Sequence, residues 1–254
     1  MSSGPPELSI VIPAFNEESR LPETLSRISA YVRASNRETE VIVVDDGSTD
    51  RTADVASSFR GEIKRLRVVA NSENRGKGYS VRHGMTEATG RIVLFTDADL
   101  SAPIEEADKL LEALREHDVA IGSRALNRRL ISVRQSVFRE TAGIIFNFIV
   151  RAILRLPFVD TQCGFKAFRR EPCAVIFRQQ RIERFGFDPE ILYLARHHGL
   201  RSAEIAVRWA HSPATKVSML RDSLQMFLDV FIIRWNSLMG RYPRSQTGIA
   251  RAVH

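Results

Sequence analysis

The chain has 254 residues, 44% hydrophobic and 26% charged, a balance that excludes global disorder and leaves enough length to bury one large core. Its two cysteines, Cys163 and Cys173, are too few for a disulfide framework, and no Cys/His cluster has zinc spacing. The net charge of +7 is uneven: residues 1–122 hold 15 lysines and arginines against 21 acids, residues 123–254 hold 22 against 9, so the second half points to an anionic partner.

At the N-terminus, MSSGPPELS lacks the basic segment and apolar core of a signal peptide, so none is expected. Short apolar runs then recur: LSIVIPA from Leu8, EVIVVDD from Glu40, LRVVAN from Leu66, RIVLFTDAD from Arg91 and DVAIGSR from Asp118. Segments with helical periodicity lie between them, such as EESRLPETLSRISAYV and APIEEADKLLEALREH. Strand and helix alternating in this way predict right-handed βαβ units, a mostly parallel sheet and an α/β fold. The runs are nearly continuous in apolar residues, as expected of strands covered by helices on both faces.

The second half is less regular. The pattern predicts a helix over residues 134–156, a turn and strand in DTQCGFKAFRRE and a turn and helix in FGFDPEILYLARHHG. It then predicts a strand in RSAEIAVRWAH, a C-terminal helix in MLRDSLQMFLDVFIIRWNSLMG and a tail from Tyr242. One domain over residues 1–241 is expected, divided by charge into 1–122 and a basic helical extension over 123–241, with 242–254 as tail. The longest apolar stretch, residues 142–159, is interrupted by Asn147, Arg151 and Arg155. It falls short of the roughly 18 unbroken apolar residues of a spanning helix, and a cytosolic chain is expected. Residues 142–159 and 224–238 are amphipathic; they suit a bilayer interface, or packing on the core or in a homodimer, and both readings stay open.

In a sheet of this kind, ligands bind beyond the carboxyl ends of the strands. Those ends are polar: Asn16 and Glu17, Asp45 and Asp46, Asn71, Asp97 and Asp99, Ser123 and Arg124. A carboxylate at Asp45 or Asp46 can accept from a base imide or a ribose hydroxyl; the plainer reading is two turn-forming acids before a helix. Asp97 and Asp99 are two apart, so both can face one site from a strand end. Hard divalent cations take such carboxylates together with substrate phosphates. Ser101 as a cap, Pro103 at the first helical position and Glu105 and Glu106 behind it give the same stretch a structural reading as a helix start. No G-x-G-x-x-G or P-loop is present, so dinucleotide oxidoreductases and P-loop enzymes lack their phosphate cradle; NRGKG could support a diphosphate through Lys77.

With these motifs in view, the chain resembles the family 2 glycosyltransferases of the GT-A fold, closest to the dolichyl-phosphate β-glucosyltransferase and polyprenyl-phosphate sugar synthase branch. The segments that carry the resemblance are IVIPAFNEESRLPETL, VIVVDDGSTDRT, NRGKGYSVRHGM, LFTDADLSAP, IGSRA, DTQCGFKAFRRE, FDPEILY and RWAHSPATKVSMLRDSLQM. The resemblance implies a Rossmann-like doubly wound sheet and inverting transfer of a hexose, glucose foremost, from a nucleotide sugar such as UDP-glucose to a polyprenyl or dolichyl phosphate at a membrane surface. It implies that Pro13, Phe15 and Glu17 line the base and ribose and that Asp45 and Asp46 contact them. Asp97 and Asp99 would hold Mg²⁺ or Mn²⁺ on the donor diphosphate. Arg124, Arg134, Arg139 and Lys216 would receive the acceptor phosphate, and Asp188 would stand where related enzymes carry a base, here to position the sugar or to cap a helix.

Three alternatives follow from the same residues. The donor chemistry could serve a soluble acceptor, or the donor could be GDP-mannose. A non-enzymatic basic protein on a membrane or nucleic acid is the third, although no aromatic and basic residues interleave on a strand platform, so no nucleic acid is expected.

Overall fold

The computed structural model describes residues 4–133, 137–211 and 221–244. β1 (Leu8–Ala14), β2 (Thr39–Asp45), β3 (Leu66–Ala70), β4 (Ile92–Thr96) and β5 (Val119–Ser123) fall on the five apolar runs. α1 (Leu21–Ala34), α2 (Thr52–Ser58), α3 (Lys77–Glu87) and α4 (Ala107–Ala113) connect them. The second half adds a short β6 (Ile131–Val133), α5 (Val137–Leu154), β7 (Phe165–Arg169), α6 (Arg170–Gln179), α7 (Phe187–His197), β8 (Ser202–Ala206), β9 (Trp209–Ala210) and α8 (Arg221–Leu238).

Seven strands form one sheet in the order β3-β2-β1-β4-β7-β5-β8, and β6 pairs with β9 apart from it. β7 alone runs antiparallel, wedged between β4 and β5, so the other six point the same way. Alternation along the strands feeds two cores. Ile10 and Ile12 join Leu21, Leu25 and Ile28 of α1 on one face, while Val11 joins Val81 and Met85 of α3 on the other. Burial of both faces explains why the strands read as unbroken Val, Ile and Leu rather than as alternating stripes.

Several boundaries differ from expectation. α1 begins at Leu21, with a proline in its first turn, because residues 17–20 are drawn into hydrogen bonds at the strand ends. Ser101 and Pro103 do not start an α-helix: a single 3-10 turn over Ile104–Glu106, with Pro103 at its N-cap, precedes α4, and no side chain caps it. The stretch RSAEIAVRWAH splits into β8 and β9. Val207 is wholly buried beneath the sheet edge, and Arg208 turns to Glu106. Arg155, in the left-handed region at φ 54°, ends α5 short of residue 156. Tyr242, placed in the tail by sequence, is buried and donates to Glu190 of α7 at 2.6 Å.

Candidate active site

The parallel strands deliver their carboxyl ends to one edge. There Lys77, Asp97, Asp99, Arg124, Asp160 and Asp188 surround a cavity of about 490 Å³. β4 stops at Thr96, and the two aspartates lie in the turn that follows rather than on the strand. The Leu100 amide donates to the Asp97 carbonyl at 3.1 Å, the Ser101 amide to Asp99 Oδ1 at 3.0 Å, and Thr24 Oγ1 to the Ala98 carbonyl at 2.5 Å. Leu100 accepts a φ of 45°, an unfavourable value for a branched side chain, to close this turn. Asp99 therefore both fixes the local turn and faces the cavity. Ser101 caps no helix, and a turn rather than the pleat of a strand brings the two carboxylates to the cavity.

Asp97 is seated from two sides. Lys77 Nζ lies 2.5 Å from its Oδ1, and the Gly164 α-carbon presses on the carboxyl group so closely that a Cβ there would lie 2.6 Å from Cγ. Burial works hardest against the Lys77 charge, but Asp97, helped by Asp188 and Asp99, overcomes it and lifts the lysine pKa above its ordinary value. Asp188, second residue of α7, is buried and paired with the fully buried Lys166, whose ammonium also donates to the Cys163 carbonyl at 2.5 Å. Burial raises the Asp188 carboxyl above the usual range against the pull of Lys166 and Lys77. Arg20 Nη1 stands 4.0 Å from Asp99 Oδ2 and grips Glu17 at 2.6 and 2.7 Å, so a cation overlooked in the sequence faces the aspartate turn.

Across the cavity, Arg124 follows β5 and clasps Asp160 through Nε at 2.7 Å and Nη2 at 2.8 Å, with its amide on the same carboxylate at 3.0 Å. Burial opposes both charges most strongly. Each partner outweighs it: Arg124 is pushed above its ordinary pKa and Asp160 held down at about 2. The guanidinium also lies 5.4 Å from the centre of the Trp209 ring. Asp160, Lys166 and Trp209 were absent from the sequence reading, although DTQCGFK holds the first two.

The residues assigned to the nucleotide occupy the neighbouring strand ends. Pro13 is buried within β1, Phe15 is half-buried beyond it, and Glu17 is buried with its amide donating to Thr52 Oγ1 at 2.7 Å. Asp45 accepts the Ser48 amide at 3.2 Å. Asp46 turns inward, accepting from Gly76 N at 2.7 Å, Arg75 N at 3.2 Å and Asn71 Nδ2 at 2.7 Å. Its carboxylate thereby fixes the loop that presents Lys77. Gly76 at the end of that loop and Gly78 in the first turn of α3 sit against the backbone at Glu183 and Ile182, where a Cβ would collide. Arg134 and Lys216 lie outside the described residues. Arg139 lies in α5, its side chain likewise outside the description.

One wall of the cavity is formed by α5, through Phe146 and Asn147, and by α8, through Ser223 and Met226. The outer sides of these helices are bare and apolar: Phe148 is 68% exposed, Leu224 63% and Trp235 56%. Among the described residues no helix is long and apolar enough to cross a membrane, and no group of three or more His, Cys, Asp or Glu side chains is arranged to hold a metal by itself.

The model of the family described as Glycosyl transferase family 2 matches residues 9–177. The chain is 40% identical over 251 residues to a dolichyl-phosphate β-glucosyltransferase of Drosophila melanogaster, covering 93% of this chain and 77% of that protein. It is 34% identical over 255 residues to the Homo sapiens dolichyl-phosphate β-glucosyltransferase, covering 95% and 79%. Among solved structures, glucosyl-3-phosphoglycerate synthase from Mycobacterium tuberculosis in complex with Mn²⁺, UDP-glucose and phosphoglyceric acid shares the fold, with a TM-score of 0.65 at 20% identity over 95% of this chain and 82% of that one.

Proposed function

The chain belongs to glycosyl transferase family 2, and we propose that it moves glucose from UDP-glucose to a dolichyl or related polyprenyl phosphate, with inversion at the anomeric carbon. The observation that carries this reading is the two-sided cavity. Asp97, Asp99 and Lys77 line it from the strand ends, Arg124 and Asp160 line it from across, and two helices with bare apolar backs close one wall. The dolichyl-phosphate β-glucosyltransferases at 40% and 34% identity support glucose as the sugar and dolichyl phosphate as the acceptor.

In the reaction so read, an oxygen of the acceptor phosphate attacks the anomeric carbon as the bond to the nucleoside diphosphate breaks, and the diphosphate leaves with the electron pair. A phosphate monoester is already anionic, so no strong protein base is required. Arg124 orients it and offsets its repulsion from the donor diphosphate. Asp188, buried and paired with Lys166, serves to position the sugar rather than to deprotonate a nucleophile. Lys77 sits where it can meet the diphosphate once Asp97 is engaged elsewhere.

The donor set fits a hard divalent cation. Asp97, whose Oδ1 meets the Lys77 ammonium at 2.5 Å, and Asp99, two residues on, both line the cavity with carboxylate oxygens, the hard donors that such a cation takes together with substrate phosphates. Asp97 and Asp99 would hold Mg²⁺ or Mn²⁺, which neutralises charge on the leaving diphosphate. Pro13, Phe15, Glu17 and Asp45 would receive the base and ribose, Asp46 acting through the Lys77 loop. Arg134, Arg139 and Lys216 would add positive charge on the acceptor side.

We place the protein peripherally on the cytoplasmic face of a membrane, with the apolar backs of α5 and α8 in the interface and the basic second half toward anionic headgroups. The two free buried cysteines suit a reducing compartment. The test is transfer from radiolabelled UDP-glucose, with Mn²⁺, to polyprenyl phosphate in vesicles, against GDP-mannose as donor and 3-phosphoglycerate as acceptor. Glucosyl lipid is expected. Full activity on the soluble acceptor, or with GDP-mannose alone, overturns the reading, and a stable dimer without lipid would assign the apolar face to a second copy.

A further inference from the structure

Asn147 interrupts the apolar run AGIIFNFIV, and neither core packing nor lipid contact calls for an amide there. Its neighbours on α5 include Ile144, Ile145 and Phe148, all more than half exposed. The Asn147 side chain instead reaches the loop between α5 and β7. Nδ2 donates to the Val159 carbonyl, and Oδ1 accepts from Thr161 N at 3.1 Å and Thr161 Oγ1 at 2.7 Å. A backbone N–H can only donate and a carbonyl can only accept, so these partners demand one donor and one acceptor on a single short side chain, which is an amide. From the opposite side, Glu204 of β8 accepts from Val159 N at 2.8 Å and Asp160 N at 2.7 Å. Residues 159–161 are thus held from two elements, and between the two anchors sits Asp160, the carboxylate that clasps Arg124.

We propose that Asn147 is a positioning residue for the acceptor phosphate: it fixes residues 159–161 so that Asp160 presents the Arg124 guanidinium to the cavity. It also ties that clamp to the helix whose outer side is bare. The assignment rests on the functional reading above for the identity of the acceptor, but not for the geometry. Leucine at 147 would suit the helix and its surroundings better, yet would leave the Val159 carbonyl and Thr161 amide without their partner. Aspartate would keep the acceptor for Thr161 and lose the donor to Val159.

The experiment uses the full chain with polyprenyl phosphate in vesicles, varying lipid acceptor and UDP-glucose separately in the wild type, Asn147→Leu and Asn147→Asp. The acceptor KM is expected to rise about tenfold in the leucine variant and less in the aspartate variant, with the UDP-glucose KM within about twofold of wild type. An unchanged acceptor KM, or equal loss on both substrates, overturns the proposal; if the leucine variant does not fold, the aspartate variant decides by the same criterion. A second readout needs no acceptor. Trp209 emission in a Trp235→Phe background reports the guanidinium over its ring, and it should shift in both Asn147 variants. Wild type inactive on lipid but with this shift present defeats the functional reading and leaves Asn147 in place; no shift defeats Asn147 itself.

Discussion

Gly164 and Asp97 are packed so tightly that no side chain fits between them: a Cβ on Gly164 would lie 2.5 Å from Asp97 Oδ1. The glycine is thus required by its neighbour's carboxylate, not by its own backbone, whose φ lies outside the left-handed region. Because the obstructed atoms are the end of a side chain, Gly164→Ala should fold with a near-normal Tm while turning Asp97 away. A displacement of this size costs about 10²-fold in rate when it misplaces a reacting group. Steady-state transfer beside a thermal melt checks it, and a fully active Gly164→Ala protein would remove Asp97 from the site.

Asp99→Ala should abolish metal-stimulated transfer and leave circular dichroism unchanged, since Asp99 is partly exposed and its one described hydrogen bond goes to a neighbouring amide. Titrating Mn²⁺ against UDP-glucose binding by calorimetry separates loss of metal from loss of fold. Metal-dependent binding of wild-type strength in the variant would refute the assignment.

The pair of Arg124 and Asp160 gives a pH dependence with a definite sign. The Asp160 carboxyl is held near 2 when folded, below its ordinary 3.8, so its contribution is present above about pH 4 and lost as pH falls toward 2. That contribution is about 2 kcal/mol at full ionisation. Arg124→Leu should lower stability at neutral pH and flatten the curve between about pH 4 and 2. Urea melts across that range measure it.

Replacing one apolar residue on the outer faces of α5 and α8 by an acid should weaken vesicle binding without touching the site. Phe148→Glu and Trp235→Glu each remove a side chain more than half exposed. Burying such a side chain in lipid is worth roughly 1.5–3 kcal/mol, so each should cut the partition coefficient about tenfold or more. Co-sedimentation with anionic vesicles checks this, and soluble UDP-glucose binding should stay constant.

Much of this architecture could be read from the chain because its signals are local. Asp45, Asp97 and Arg124 each end an apolar run, and in a parallel sheet every such end arrives at one edge. What could not be read depends on partners far apart in sequence. Nothing near Arg124 announces Asp160, and nothing in VIVVDD distinguishes Asp45 from Asp46, which turns inward to the Lys77 loop. Lys166 sits in an apolar strand, and only the antiparallel insertion of β7 reveals that its ammonium meets Asp188. The direction of β7 has no sequence signature, because the pleat pattern is the same either way.

That insertion also bears on how the chain is made. β4 finds its outer neighbour only in β7, and β5 is joined to the rest of the sheet through the same strand. On the ribosome the first four strands can therefore pair early, while the open edge of β4 waits for a strand that emerges several seconds later at about 5–20 residues per second. An unpaired hydrophobic edge is a template for aggregation. Slow or truncated synthesis between β4 and β7 should therefore favour aggregates over a trapped, half-formed sheet, and the turn at Asp97 becomes complete only when the strand that closes the sheet brings Gly164 against it.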